Sequence, residues 1–478
     1  MDFTEVQAAF EQIWGYPDFR PPQGEIVRTL LAQRDALIVM PTGGGKSICF
    51  QLPALLQTGL TLVVSPLVAL MENQVQELRQ KKLPAALLHG ELPPFERRRT
   101  LQAIEEQKLR LLYLSPETLL SPPVWQRLSH PDIQIQGLIL DEAHCLVQWG
   151  DTFRPTYRRL GSVRPSLLHS KPAGTKIAIA AFTATADPQA QQTIRQTLQL
   201  DNPEQFLLNP YRPNLHLSVK IAWTPKGRKQ QLLNFIQAHP QQSGLVYVRT
   251  RPDSETLAQW LAAQSLKTAA YHAGLDPDAR RQIEQAWLKD RLQFVVCTSA
   301  FGMGINKPDV RWVIHFHAPL LLSEYVQEVG RAGRDGKPAE ALTLISEPTG
   351  WLDGEDKQRR AFFVDRMRSQ LDKAQALAHK LPPTGEINPI KKQFKDSELC
   401  LSLLHSRGQL TWIDPFHYQI LTHSQATKLP DTNNQAIQHM TQYLHERHCR
   451  WQFLLKNFGF ASQKTSSPCG QCDNCTRR

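Results

Sequence analysis

The sequence predicts an α/β protein of two doubly wound parallel-sheet lobes, then a mostly helical zinc-binding region with a small winged-helix-like insert. Three observations lead there. Short apolar runs alternate with helical stretches through the first 345 residues, the pattern of a parallel sheet covered on both faces. Landmarks of the first half recur in the second at equal spacing, which indicates two lobes of one architecture. Four of the eight cysteines crowd together near the C-terminus. The expected boundaries are 1–208 for the first lobe, 209–345 for the second, 346–432 for a connector with the insert, and 433–478 for the zinc module.

Composition sets the class. A chain of 478 residues with 41% hydrophobic and 21% charged residues has material for several full-sized cores. The 55 Lys and Arg against 44 Asp and Glu leave a net charge of +11, which favours a polyanionic partner without identifying one. Met1-Asp2-Phe3-Thr4-Glu5 has no signal-peptide character, and no apolar run approaches the roughly 18 residues of a membrane span. The expectation is a soluble cytoplasmic protein, nucleoid-associated if bacterial, with no membrane partner. In that compartment clustered cysteines mean metal, not disulfides.

The first lobe opens on Gly15-Tyr16-Pro17-Asp18-Phe19-Arg20-Pro21-Pro22-Gln23, where a glutamine, an aromatic and an arginine could grip an adenine by edge and face. Ala36-Leu37-Ile38-Val39-Met40 then reads as a buried strand that empties into Pro41-Thr42-Gly43-Gly44-Gly45-Lys46-Ser47. This is a phosphate-binding loop. Glycines let backbone N–H groups curl round the β- and γ-phosphates of ATP, Lys46 reaches them, and Ser47 is placed for Mg²⁺. Met40 stands where the general pattern has glycine.

Later strands each end on polar residues: Ser65-Pro66-Leu67, Ser115-Pro116-Glu117, Asp141-Glu142-Ala143-His144 and Thr183-Ala184-Thr185. Strand ends are where open α/β sheets bind ligands. Asp141 can hold Mg²⁺ through water and Glu142 can polarise the attacking water. Trp149, Phe153 and Tyr157 with Arg154, in a loop beside these acids, suit the stacking of nucleic-acid bases.

The second lobe echoes the first. His89-Gly90-Glu91 returns as His272-Ala273-Gly274, and strand ends follow 26 residues later at Ser115 and Thr298. It has no phosphate loop. Its Gln327-Glu328-Val329-Gly330-Arg331-Ala332-Gly333-Arg334 is expected to put arginines on a helix facing the ATP of the first lobe.

Beyond residue 345, Phe363, Met367, Leu371, Ala374 and Ala378 mark an amphipathic helix that stops at Pro382-Pro383. A helix over 396–405 and a hairpin made by 409–413 and 418–421 make the insert, read equally well as a winged helix or as a packing element. Ile437, Met440, Leu444, Trp451, Leu454 and Phe458 predict one long helix ending at Gly459 and carrying Cys449. Nineteen residues separate it from Cys469, and Cys469, Cys472 and Cys475 follow at two successive two-residue spacings that let four thiolates close a tetrahedron round Zn²⁺.

Taken together, these motifs resemble the RecQ family of superfamily 2 DNA helicases over roughly residues 10–345 and again in the cysteine module. The resemblance implies RecA-like lobes, ATP hydrolysis, 3′-to-5′ translocation on single-stranded DNA, and unwinding of tailed or forked duplex in recombination and repair. It makes Tyr16, Arg20 and Gln23 the adenine contacts, Arg334 the arginine finger with Arg331 and Gln327 in support, and Trp149, Phe153 and Arg154 the coupling loop. Asp151 and Thr152 replace the family's usual His and Asp in that loop. The chain stops at Arg478, so the expectation is a short form without the family's downstream winged helix and terminal helical domain. A translocase with weak unwinding, a DNA-binding scaffold with little turnover, and an enzyme acting on RNA remain open readings.

Overall fold

A computed structural model describes residues 2–41, 43–147, 154–302, 305–421, 432–461 and 469–476, without side-chain detail at 432–434. The chain forms two compact units, Met1–Leu208 with Ser369–Pro430, and Asn209–Arg368 with Asp431–Arg478.

The first unit is built on seven strands: β1 (Ala36–Val39), β2 (Leu60–Val64), β3 (Ala85–Leu88), β4 (Leu111–Leu114), β5 (Ile135–Leu140), β6 (Ala178–Thr183) and β7 (Glu204–Leu207). They pair in parallel in the order β3-β4-β2-β5-β6-β1-β7. Leu, Ile, Val and Ala dominate β1 to β6 because helices cover both faces, and β7 alternates as an edge strand does. The buried Asp35 ties the strand starts together. Its carboxylate accepts from Ile179 N at 2.8 Å and Asp201 N at 2.7 Å, and pairs with Arg164 at 2.6 Å. All the polar landmarks then fall at the opposite, carboxyl ends of the strands.

The second unit carries β8 (Leu215–Ala222), β9 (Gly244–Tyr247), β10 (Thr268–Tyr271), β11 (Phe294–Cys297), β12 (Trp312–His315) and β13 (Ala339–Ser346) in the parallel order β10-β11-β9-β12-β13-β8. Helix Leu322–Val329 ends before the two arginines, which stand in the turns that follow it. The expected helical placement of Arg331 and Arg334 is therefore corrected. Gly330 caps the helix, and Gly333, with φ of +60°, bends the chain back.

Glu328 anchors that helix. Arg249 grips it with two N–H donors at 3.2 and 2.8 Å, and His315 Nε2 lies 2.8 Å away. Burial opposes ionisation, but Arg249 and His315 outweigh it and hold the carboxyl down at about 2. A group depressed on folding contributes stability above its unfolded value, here 4.5, and loses it as pH falls toward about 2. Glu328→Gln leaves Arg249 with the looser Glu324 contact at 4.0 Å and should cost about 3 kcal/mol at neutral pH. Melting curves of wild type and variant should converge on acidification; a gap independent of pH would refute the pairing as its origin.

The region around 384–421 forms a third, antiparallel sheet, β14 (Thr384–Glu386), β15 (Leu410–Trp412) and β16 (His417–Ile420), in the order β14-β16-β15. Helices Ile387–Gln393 and Ser397–Ser406 lie between β14 and the hairpin. Ile387, Leu401, Leu404, Leu410 and Tyr418 share a core with Ala374 and Leu377 of helix Glu355–Ala378. Helix, strand, two helices and hairpin is winged-helix topology. The expected hairpin and helix are present, and β14 adds a strand to them.

The long helix expected through Cys449 is two helices, Thr432–Leu444 and Arg450–Asn457, with Cys449 at the cap of the second. The break is held from the zinc segment. Asn474 Nδ2 donates to Glu446 O at 2.7 Å and His448 O at 2.8 Å, so those carbonyls need no helical partner. Among the described residues no helix is long and apolar enough to cross a membrane.

Candidate ATP site and metal centre

The phosphate loop leaves β1, whose direction is set by Met40 N donating to Thr183 O at 2.9 Å. Gly43 and Gly45 have φ of +86° and +75°, and helix Lys46–Leu56 follows directly. A side chain at Gly45 would strike Gln23 Nε2 at 2.4 Å, so the glycine also makes room for a neighbour. Gln23 lies against this loop. Its amide nitrogen donates to Gly44 O at 3.0 Å, and its oxygen accepts from Arg20 N at 3.0 Å. Tyr16 and Arg20 are exposed, while Gln23 is buried. Thr42 lies outside the described residues.

Lys46 Nζ is buried and has no hydrogen-bond partner among the described residues. Such an ammonium costs free energy unless an anion meets it. It stands at a helix N-terminus, where first-turn N–H groups of Lys46 and Ser47 also lack helical acceptors. These groups fit a phosphate.

Across the sheet, Asp141 follows β5 and is 6% exposed. Burial first, then the Glu142 carboxylate, push its carboxyl up to about 6, and Lys46 works against that rise. A divalent cation with hard oxygen ligands would suit the pair. Glu142 takes the left-handed conformation, φ +52°, and its Oε2 lies 3.1 Å from His144 Nδ1. His144 Nδ1 also lies 3.1 Å from Thr183 Oγ1, and that hydroxyl donates to Thr185 O at 3.2 Å. Burial disfavours charge on His144, yet Cys145 and Glu142 prevail and push it up to about 10. The structure thus gathers Gln23, Gly44, Gly45, Lys46, Asp141 and Glu142 at one end of one sheet. It adds His144 and Thr183, a link that the adjacent strand ends of β5 and β6 already hinted at.

Arg154 donates to Pro66 O at 3.1 Å. Trp149 and Phe153 lie outside the described residues. In the second unit Gln327 is buried on its helix, and Arg331 donates through Nη1 to Gly302 O. A Cβ at Gly302 would meet that guanidinium at 2.7 Å. Arg334 donates to Ile305 O at 3.2 Å, and burial with the nearby Arg331 cation pushes it down to about 10.

The sulfurs of Cys449, Cys469, Cys472 and Cys475 all lie within 4.8 Å of one another, with Cys469 and Cys475 3.8 Å apart. A tetrahedron with Zn–S bonds of about 2.3 Å has edges of about 3.8 Å, so the cluster fits zinc. Backbone N–H groups of Arg450 and Gln471 point at the Cys472 and Cys469 sulfurs from 3.5 and 3.4 Å. Behind them Arg450 and Asp473 form a buried pair at 2.5 Å. The knot sits on β8: Leu217 bridges Cys472, Val219 N donates to Asp473 Oδ2 at 3.0 Å, and Trp451 Nε1 donates to Leu215 O at 3.3 Å.

Known proteins share this layout. Residues 20–194 match the DEAD/DEAH box helicase model, 227–336 the helicase conserved C-terminal domain, and 416–476 the RecQ zinc-binding model. The chain is 54% identical to the ATP-dependent DNA helicase RecQ of Synechocystis sp., covering 99% of this chain and 98% of that one. It is 36% identical to the protein of that name from Pasteurella multocida, over 84% of this chain and 61% of that one. Identity to the probable ATP-dependent DNA helicase RecS of Bacillus subtilis is 38%, over 71% and 67% of the two chains. Among solved structures, Mss116p bound to ssRNA and AMP-PNP aligns with a TM-score of 0.61 at 18% identity, over 73% of each chain, a likeness of fold alone. Two helicase domains in tandem, a zinc knot of matching kind and identity running almost end to end make this chain a member of the RecQ family of ATP-dependent DNA helicases.

Proposed function

We propose that the protein translocates 3′ to 5′ on single-stranded DNA and unwinds tailed or forked duplex during recombination and repair. The observation that carries the ATP side of this reading is the buried, unpartnered ammonium of Lys46 beside the Asp141–Glu142 pair. ATP supplies a phosphoanhydride bond whose hydrolysis drives movement. Lys46 and the loop glycines Gly43, Gly44 and Gly45, with Thr42, hold its phosphates. Ser47 and Asp141 hold Mg²⁺, and Glu142 takes the proton of the attacking water. Tyr16, Arg20 and Gln23 bind the adenine. Arg334 offsets the charge that develops on the transferred phosphoryl group, with Arg331 and Gln327 in support. Trp149, Phe153 and Arg154 stack on DNA and couple it to turnover.

The polarity comes from the family resemblance, and the DNA substrate is supported by the name of the Synechocystis relative. Strand displacement on a 3′-tailed duplex, a 5′-tailed duplex and a fork, with ATP turnover followed in parallel, tests the reading. Unwinding of the 3′-tailed duplex and the fork, with the 5′-tailed duplex inert, is expected. Preference for the 5′ tail would overturn the polarity, and turnover without displacement would leave a translocase.

A further inference from the structure

In helix-turn-helix folds the second helix of the pair is the one that enters the DNA groove. Here that helix, Ser397–Ser406, is spent on the protein itself. Glu398 Oε1 accepts from Thr156 Oγ1 and from Arg159 Nη1, each at 3.0 Å. One turn on, Ser402 Oγ donates to Pro155 O at 2.9 Å. Lys391 of the preceding helix steadies the other Glu398 oxygen at 2.7 Å. The hairpin grips the same place: Arg159 Nε donates to Pro415 O at 2.7 Å, and Phe416 stands edge-on to Trp125 with ring centres 5.3 Å apart.

Apart from the Lys391 and Trp125 contacts, these fall on one short 3-10 helix, Pro155–Ser162. Its Tyr157 is fully buried and donates through its hydroxyl to the backbone carbonyl of Asp141 at 3.2 Å. One residue separates the anchored Arg159 from Tyr157, too little to absorb a displacement in a 3-10 turn. Arg159 is itself 5% exposed at its side chain, so its charge depends on Glu398 and cannot turn to water.

We propose that the winged helix is a brace for ATP hydrolysis. Docked through Glu398 onto Thr156 and Arg159, it fixes the turn whose Tyr157 holds the Asp141 backbone. Glu398, Arg159 and Tyr157 are then positioning residues, and the second helix is not a reader of DNA. This rests on the assignment of Asp141 to the ATP site.

The test is steady-state ATP turnover by the full chain with Mg²⁺ and saturating oligo-dT. Glu398→Gln and Tyr157→Phe should each lower kcat about tenfold and change the KM for ATP by less than about twofold, the signature of misplaced chemistry. Glu398→Asp, which keeps the charge, should recover part of the loss. The double variant should be no worse than the poorer single, because both act through one route. Oligo-dT affinity should stay within about twofold of wild type in all of them, since the docked helix face makes no DNA contact.

Wild-type kcat in a folded Glu398→Gln protein would overturn the brace, as would effects that multiply in the double variant. Weakened oligo-dT binding with unchanged kcat would make the helix a DNA contact and overturn it too. If Glu398→Gln does not fold, Thr156→Val removes one docking bond at near-constant shape, and Tyr157→Phe with normal kcat is decisive alone. Lys46→Ala run alongside separates the two assumptions: its normal turnover would remove the ATP site, whereas its inactivity beside a neutral Glu398→Gln would remove only the brace.

Discussion

Lys46→Ala is expected to lower ATP turnover by at least about 10³-fold, some 4 kcal/mol of lost transition-state stabilisation. The Lys46 Nζ meets no acceptor among the described residues, so truncating it breaks no hydrogen bond that the folded chain makes. Its loss removes one desolvation cost but also the cation that offsets the buried Asp141 carboxylate, so the melting temperature of the nucleotide-free protein should change little. Binding of single-stranded DNA should persist, because phosphates of the strand are met by other side chains. A calorimetric scan and an oligo-dT titration beside the ATPase assay check all three at once. Turnover near normal in this variant would take the phosphate loop out of the mechanism.

Cys472→Ser should be the most damaging single change outside the ATP site. Cys472 is fully buried, packs with Trp451, Leu454 and Phe458, and is a ligand with no substitute nearby. Structural zinc binds comparable peptides with an apparent ~10–16 kcal/mol, more than the packing of Trp451, Leu454 and Phe458 can replace. A buried serine hydroxyl would add an unmet donor. The expected result is a poorly expressed, protease-sensitive protein with less than stoichiometric zinc, not a soluble enzyme with a selective catalytic fault. Elemental analysis that finds no zinc in freshly purified, active wild-type protein would defeat the expectation.

What could be read from the chain was whatever local chemistry dictates. Three glycines, Lys46 and Ser47 after an apolar run allow little except a phosphate loop. Residues such as Asp141 and Thr183 announce themselves by standing where β5 and β6 end. Cysteine spacing carried the metal. Features settled by distant partners were not legible. The interruption before Cys449 depends on Asn474, far along the chain, capping two carbonyls. Edge strand β7, Glu-Gln-Phe-Leu, is too polar and short to declare itself, and only pairing with β1 reveals it. Likewise nothing in the sequence near Glu398 points to Arg159, 239 positions earlier; the pair exists because two surfaces meet.

The seat of the zinc knot has one more consequence. β8 closes the second sheet, and a terminal strand with free N–H and C=O groups is a template on which another chain can add a strand. Here Cys472, Asp473 and Trp451 occupy positions along that strand at Leu217, Val219 and Leu215. Loss of the metal is therefore expected to uncover that border as well as to loosen the fold. Light scattering of the chelator-treated protein should rise with time, and an apoprotein that stays monodisperse would refute this.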